Sequence, residues 1–478
     1  MEPQDPRDRR IAELEAQLAG AMEVIAKLTA RVQELEARLK QNSSNSSRPP
    51  SSDPPWVHPT ASSKSPRGKK RGGQPGHKGH QRSVLPPERV SGTKDLKPEQ
   101  CRHCGLQLHG ADPAPLRHQV IDLPRVLAMA FEYRLHALKC PHCRVITRAT
   151  LPADVPAGNF GPRLEAFIAV CAGAYRLSQR MIEQLVADIY GVELGLGTIS
   201  NLETHASEAL AAPVAAAAAQ VQTQPVVHAD ETSWREAKRK AWLWVVVTAN
   251  LAVFLIHRSR GADVAKQLLG EFFRGLLVSD RWAGYNWVDQ TRRQLCWAHL
   301  WRQFVGFADH GGTALRLSRA LQADCRLMFA WWHRVRDGKL RRTTFQRYMR
   351  PVQRRLLATL ERGARCRIPK VAGRCAEILK LHVALFTFVR QGGVDPTNNA
   401  AERAIRHAVL WRKSSYGTDS EDGSTFVARI LTVVTTLRLQ HRHVLDWVTE
   451  ACQARLERRA APSLLPPTHA ATVNSLAA

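Results

Sequence analysis

The 478 residues are 44% apolar, enough for a sizeable core and about three domains of ~150 residues each. A formal net charge of +27 points to a polyanionic partner, nucleic acid first, because basic residues recur through several segments. No apolar run approaches the ~20 residues of a membrane span and the charged, then amphipathic start is unlike a signal peptide, so a cytoplasmic, nucleoid-associated protein with reduced thiols is expected, and paired cysteines read as metal ligands rather than disulfides.

Residues 8–40 read as a coiled coil. One seam holds Ile11, Leu18, Ile25, Val32 and Leu39, and the other holds Leu14, Ala21, Leu28 and Leu35. This is the alternating three-and-four spacing of a heptad repeat. Ile and Val in the first seam with Leu in the second favour two parallel strands, hence a homo-oligomer. A helix packed on its own domain is the alternative, but a polar linker follows at once. That linker, residues 41–98, is rich in Ser, Pro, Gly, Lys and Arg and is expected to be disordered. Within it Lys69, Lys70 and Arg71 are candidates to lie along phosphates or in a minor groove; a solvated linker is the equal alternative.

Residues 99–150 carry Cys101-Arg-His-Cys104 and Cys140-Pro-His-Cys143. Two Cys-x-x-Cys knuckles supply four thiolates, the complement of a tetrahedral structural Zn2+, and residues 131–138 alternate like a strand leading into the second knuckle. The other six cysteines lack paired spacing, and most of them read as core thiols. Residues 160–212 read as helices. Two of them flank a glycine turn at 191–197 in the manner of a helix-turn-helix, whose second helix enters the major groove; an ordinary helical hairpin is the alternative.

From residue 224 the pattern changes to strands. The run Val226-Val227-His228-Ala229 ends at Asp230, residues 242–248 and 253–256 continue as strands, and 261–273 reads as a helix. A fourth strand, 275–279, ends at Asp280, and 294–298 is a fifth, followed by helix. Three strands, helix, strand, helix, strand is the order of a ribonuclease-H-like fold, in which the first and fourth strands are neighbours. That order would place Asp230 beside Asp280. Glu402 opens a later helix, so the three carboxylates are candidate catalytic residues and ligands of divalent ions. Magnesium favours such oxygen donors, and two ions ~3.5–4 Å apart suit phosphodiester cleavage and its reversal by a 3′-hydroxyl. Each residue also has a plain reading. Asp230 would cap a strand end, Asp280 would pair with Arg281, and Asn399 with Glu402 would make a capping box.

The segments Asp230-Glu-Thr-Ser-Trp234, Ser279-Asp-Arg-Trp-Ala-Gly-Tyr285, Cys296-Trp-Ala-His-Leu300 and Asn398-Asn-Ala-Ala-Glu-Arg403 resemble the signature blocks of the IS66 family of bacterial insertion-sequence transposases. The knuckles, the helical module, the zipper and the stretch Gln74-Pro-Gly-His77 are similar in position. The resemblance implies a DDE transposase with Asp230, Asp280 and Glu402 as ligands of two Mg2+ or Mn2+ ions. It also implies a helical insertion between Asp280 and Glu402, in agreement with Arg, Leu and Trp at helical spacing over 301–389, and accessory proteins from the same element.

Cys296-x-x-His299 resembles a Cys/Asp-x-x-His motif of several such transposases, so Cys296 and His299 are candidate supporting residues, as is Asn399. Arg403, Arg406, Arg412 and Lys413 extend a basic surface for DNA, and Trp282 and Tyr285 would stack on a base or pack the sheet edge. The expected chain is therefore a multidomain α/β protein. It comprises the coiled coil, a zinc-ribbon-like module, the helix-turn-helix module, a ribonuclease-H-like catalytic domain (224–300 and 390–420) holding the insertion, C-terminal helices (421–458) and a disordered tail (459–478). Its expected activity is binding of terminal inverted repeats, DNA cleavage and joining of 3′-hydroxyl ends to target DNA. A nuclease without strand transfer and an inactive DNA-binding regulator are the alternatives.

Overall fold

The computed structural model describes residues 6–39, 42 and 84–466. Lys69, Lys70, Arg71, the Gln74–His77 stretch and most of the basic linker lie outside the described residues, as do 467–478. The chain divides into two compact units, one comprising 58–129 and 189–191 and the other the remainder.

The heptad segment forms one helix, α1 (Pro6–Leu39). Its seam residues Ile11, Leu14, Leu18, Ile25, Leu28 and Val32 are all exposed. In the knuckle region the strand expected over 131–138 shrinks to β1 (Ala137–Lys139), which pairs antiparallel with β2 (Ile146–Arg148). A pleated segment needs a ladder partner, and only these three residues meet one.

Four helices follow: α2 (Pro162–Tyr175), α3 (Gln179–Tyr190), α4 (Leu196–Ala209) and α5 (Ala211–Val221). Burial on α2 is almost continuous, from Glu165 to Ala174. A helix apolar on all sides belongs inside a core. It packs against α13 (Glu421–Leu439) and α14 (Val444–Leu456), and Ile168, Ile199, Ile430 and Val448 share one cluster. The boundaries expected at 212 and 421 are therefore not boundaries of the core. The tail expected from 459 is also packed at its start, because Leu464 is buried in the same cluster and Ser463 O accepts from Trp447 Nε1.

The sheet runs in the order β5-β4-β3-β6-β7. It consists of β3 (Val226–Glu236), β4 (Arg239–Val247), β5 (Ala252–His257), β6 (Leu276–Ser279) and β7 (Arg293–Leu295), with α6 (Ala262–Leu269) between β5 and β6. The first three strands are antiparallel, and β3, β6 and β7 are parallel. The first strand does not end at Asp230. It continues to Glu236 because β4 pairs with it along its length, from His228↔Val247 to Glu236↔Arg239. The fifth strand is shorter than expected, since Cys296 already caps α7 (Trp297–Phe307).

After α7 come α8 (Gly312–Arg336), α9 (Arg342–Ala364), α10 (Pro369–Lys380) and α11 (Thr387–Arg390), which enclose a second core around Phe304, Met328, Phe345 and Phe388. Helix α12 (Asn399–Ser415) then returns to pack on β3 and β4. Among the described residues no helix is long and apolar enough to cross a membrane.

Candidate active site

Strand register brings the two aspartates together. The parallel ladder pairs Val226 with Leu276, Val227 with Leu277 and His228 with Val278. Asp230, within β3, and Asp280, one residue past the end of β6, each stand two residues beyond the last pair, so continuing the register sets them at the same height. Both are partly buried. Asp230 Oδ1 accepts the Glu231 N–H at 2.9 Å, and Asp280 Oδ1 accepts the Trp282 N–H at 2.8 Å. Burial, then the charges of Glu231, Asp280 and Glu402, hold the Asp230 carboxyl well above its ordinary range. Like charges in such a space repel one another, and of these carboxylates Glu231 is paired with Arg260.

Glu402 lies in the first turn of α12, and a buried asparagine fixes that turn. Asn398 is 1% exposed. Its Nδ2 donates to Ala229 O at 2.8 Å, and its Oδ1 accepts from His228 Nδ1 at 3.2 Å. Its backbone N–H donates to Cys296 Sγ at 3.2 Å. This corrects the expected capping box. Asn398, not Asn399, is the residue at the helix cap, and its side chain bonds β3 instead of the helix amides. Asn399 points outward and is exposed. Burial keeps His228 below its ordinary pKa, hence neutral.

Cys296 and His299 do meet Glu402. Cys296 Sγ is 3.9 Å and His299 Nδ1 3.5 Å from Glu402 Oε1. Burial pushes the Cys296 thiol up to about 12 and the His299 imidazole down. Among the described residues, Cys296, His299 and Glu402 are the group of three whose ligand atoms all lie within 4.8 Å of one another. The three acidic residues Asp230, Asp280 and Glu402 are more widely spread.

Behind the aspartates stands a buried polar cluster. The Glu231 side chain is 1% exposed and takes both Arg260 Nε (3.0 Å) and Nη2 (2.6 Å) on one oxygen. Its other oxygen accepts from Tyr285 Oη at 2.9 Å. The Arg260 guanidinium lies over Trp242 (4.5 Å) and Trp282 (5.0 Å), and Trp282 packs edge-on against both Trp244 and Tyr285. Trp282 and Tyr285 are thus packing residues. Fully buried Arg293 braces the loop after β6, donating to Asp280 O (2.8 Å) and Trp282 O (3.2 Å) through Nη2. Sequence reading missed His228, Glu231, Arg260, Arg293 and Asn398. An acidic residue beside Asp230 and a second Asn before Glu402 were the signals available.

On α12, Arg403, Arg406 and Lys413 are exposed. Arg412 is engaged: its Nη1 donates to Thr232 Oγ1 at 3.0 Å and to Ser233 O and Oγ. It ties α12 to β3.

The two knuckles have one geometry. In each, the first cysteine N–H donates to the carbonyl five residues on (Cys101 to Leu106, Cys140 to Val145, both 2.9 Å), and the residue after the second cysteine is left-handed, Gly105 at φ 75° and Arg144 at φ 62°. Backbone N–H groups turned toward the sulfurs lower the Cys101 and Cys140 thiols. Those are features of a turn shaped to hold thiolate.

A family model described as Transposase IS66 family matches residues 157–425. A second, described as a family of unknown function, matches residues 1–83. Two relatives come from Sinorhizobium fredii. Uncharacterized protein y4qI is 26% identical over 242 residues, 44% of this chain and 43% of the relative. Uncharacterized protein y4hP is 25% identical over 393 residues, 74% of this chain and 70% of the relative.

Proposed function

This chain belongs to the transposase IS66 family, and from that premise we propose that it cleaves DNA at the ends of its element and joins the 3′-hydroxyl ends to target DNA by DDE chemistry. The observation that carries the reading is the register that sets Asp230 beside Asp280, with Glu402 close enough to add to the charge on Asp230. The strand order β5-β4-β3-β6-β7 is that of a ribonuclease-H-like sheet, which supports the same reading.

The donor set fits Mg2+ or Mn2+. All three carboxylates offer hard oxygens, and a divalent cation would offset the burial, and after it the neighbouring negative charge, that raise Asp230. Two such ions would supply activation of the attacking oxygen and neutralisation of the leaving one. Asp230, on the central strand, Asp280 and Glu402 would hold them. Arg403, Arg406 and Lys413, exposed near this edge, would take backbone phosphates and orient the strand to be cut. Asn398 and Arg293 keep the ligand-bearing segments in place. Each Cys-x-x-Cys turn offers two thiolates to zinc. The exposed faces of α3 and α4 and the basic linker with Lys69, Lys70 and Arg71 would bind the terminal inverted repeats. The exposed seam residues of α1 would pair two copies, and accessory proteins of the element would complete the assembly.

The test is a Mg2+-dependent cleavage and joining assay on DNA carrying the ends that flank this gene, with wild type and Asp280→Asn. Cleavage and joining by wild type alone supports the reading. Cleavage without joining favours a nuclease, and equal activity in Asp280→Asn removes Asp280 from the site.

A further inference from the structure

Glu402 belongs to two ligand sets of different chemical character. Toward β3 and β6 its partners are carboxylates. Toward α7 they are the Cys296 sulfur at 3.9 Å and His299 Nδ1 at 3.5 Å. Ligand atoms around a tetrahedral zinc, with bonds of about 2.0–2.3 Å, stand roughly 3.3–3.8 Å apart. Of the observed spacings, 3.5 Å lies within that range and 3.9 Å just above it, and all three ligand atoms lie within 4.8 Å of one another. Cys296 and His299 are fixed one turn apart at the start of α7, and Cys296 is held further by its N–H bond to Ser279 O and by the Asn398 N–H on its sulfur. His299 Nδ1 is buried and makes no hydrogen bond. A buried ring nitrogen without a hydrogen-bond partner is costly, and a cation between it, the sulfur and Glu402 would give it one.

We propose that Cys296, His299 and Glu402 form a site for a soft divalent cation of the zinc class, and that filling it withdraws Glu402 from Asp230 and Asp280. Thiolate and imidazole select such ions over magnesium. Coordination requires the Cys296 thiolate, so uptake of the ion releases one proton to solvent. The fourth position stays open to water or a phosphate oxygen. An ion here pins the shared carboxylate on the α7 side, and the hard-cation reaction stops. The inhibitory half of the inference rests on the reading of Glu402 as a ligand of the catalytic ions. The binding half does not.

The two halves are tested separately on the full chain. Co2+ is titrated into wild type, Cys296→Ser and His299→Ala, each with Cys101, Cys104, Cys140 and Cys143 intact, and thiolate-to-cobalt absorption and bound metal per chain are read. Wild type should take up one more equivalent than Cys296→Ser, with a difference spectrum assignable to one thiolate, and His299→Ala should bind that equivalent at least tenfold more weakly. Identical spectra and stoichiometry in wild type and both variants would overturn the site. Using His299→Ala as well protects the result against misfolding of Cys296→Ser. In the second arm, micromolar Zn2+ added to the Mg2+-dependent cleavage reaction should reduce the wild-type rate at least tenfold, reversed by a zinc chelator that leaves Mg2+ free. Binding without inhibition would overturn the claim that the ion captures Glu402. Absence of any Mg2+-dependent cleavage would instead count against the proposed function, and the cobalt titration would still decide the site.

Discussion

Replacing Asn398 with alanine should damage both the fold and the reaction. The side chain is 1% exposed and joins α12 to β3 through two hydrogen bonds, to Ala229 O at 2.8 Å and from His228 Nδ1 at 3.2 Å. Its loss leaves a buried carbonyl and a buried imidazole nitrogen unsatisfied, at about 1–3 kcal/mol each. The expected destabilisation is roughly 2–6 kcal/mol in total. With an unfolding entropy of about 2.1 cal/mol/K per residue, each kcal/mol lowers Tm by only about 1 °C in a unit of this size, so a fall of roughly 2–6 °C is expected. Urea titration by tryptophan fluorescence and circular dichroism checks the stability. Glu402 follows Asn398 by one turn, and a displacement of ~1 Å at a reacting group can cost about 10²-fold in rate. The cleavage rate should therefore fall by about that factor at saturating Mg2+. Asn399→Ala, on the exposed neighbour, should change the stability by less than ~0.5 kcal/mol. Equal effects of the two substitutions, or an Asn398→Ala protein of wild-type stability, would refute the reasoning.

Glu231→Gln removes the charge that holds Arg260 and weakens the acceptor for Tyr285 Oη. Because Arg260 is partly exposed, the expected cost is about 1–3 kcal/mol, read as a lower urea midpoint. Gly173→Ala would place a methyl 2.2 Å from Ile430 Cγ1 in the α2–α13 contact. Overpacking of this kind costs about 1–3 kcal/mol, and Ile430→Ala added to Gly173→Ala should recover part of it, a strictly additive pair being the contrary result. His407 donates Nε2–H to Gly173 O at 3.0 Å, and burial lowers its pKa below 6.5. The folded protein therefore resists its protonation, so the stability it contributes is present above about pH 6.5 and lost as the pH falls through and below that value. Between pH 7.5 and 5.5 His407→Gln should lose less stability than wild type, and parallel losses would count against this placement.

Helices and strands were legible where one period dominates. The α1 heptads, the sheet strands and the helices of the insertion follow apolar spacing, and each of these elements is present. Where expectation and structure part, a non-local partner decides. β3 outruns Asp230 because β4 lies against it, and the hairpin between them turns on Ala237 and Lys238, both at positive φ (48° and 62°). Such turns are usually announced by Asn-Gly or Asp-Gly, and Ala-Lys carries no such mark. Residues 131–136 alternate as a strand would, yet they are outside the strand because they have no ladder partner. Helix α2 looked like part of a peripheral module, but its near-continuous burial belongs to a central helix clasped by α13 and α14 from the far end of the chain.

The site was legible as residue types and not as contacts. Asp230, Asp280 and Glu402 stood out because each closes or opens an element, but their approach depends on the β3–β6 register and on how α12 docks, neither of which periodicity records. The two adjacent asparagines show the limit most clearly. Spacing to Glu402 favoured Asn399, since three residues is the interval of a capping box, whereas the fold uses Asn398 because only that position faces Ala229 O and His228. Arg412 shows the converse: its charge suggested DNA, and its position against Thr232 and Ser233 makes it a brace. Glu402 is the sharpest case. Its sequence neighbours are helix formers and arginines, while its spatial neighbours are carboxylates on one side and a thiol with an imidazole on the other. On the proposal made above, the cation present would decide which set claims it, and the cobalt titration with Cys296→Ser and His299→Ala is the measurement that separates the two.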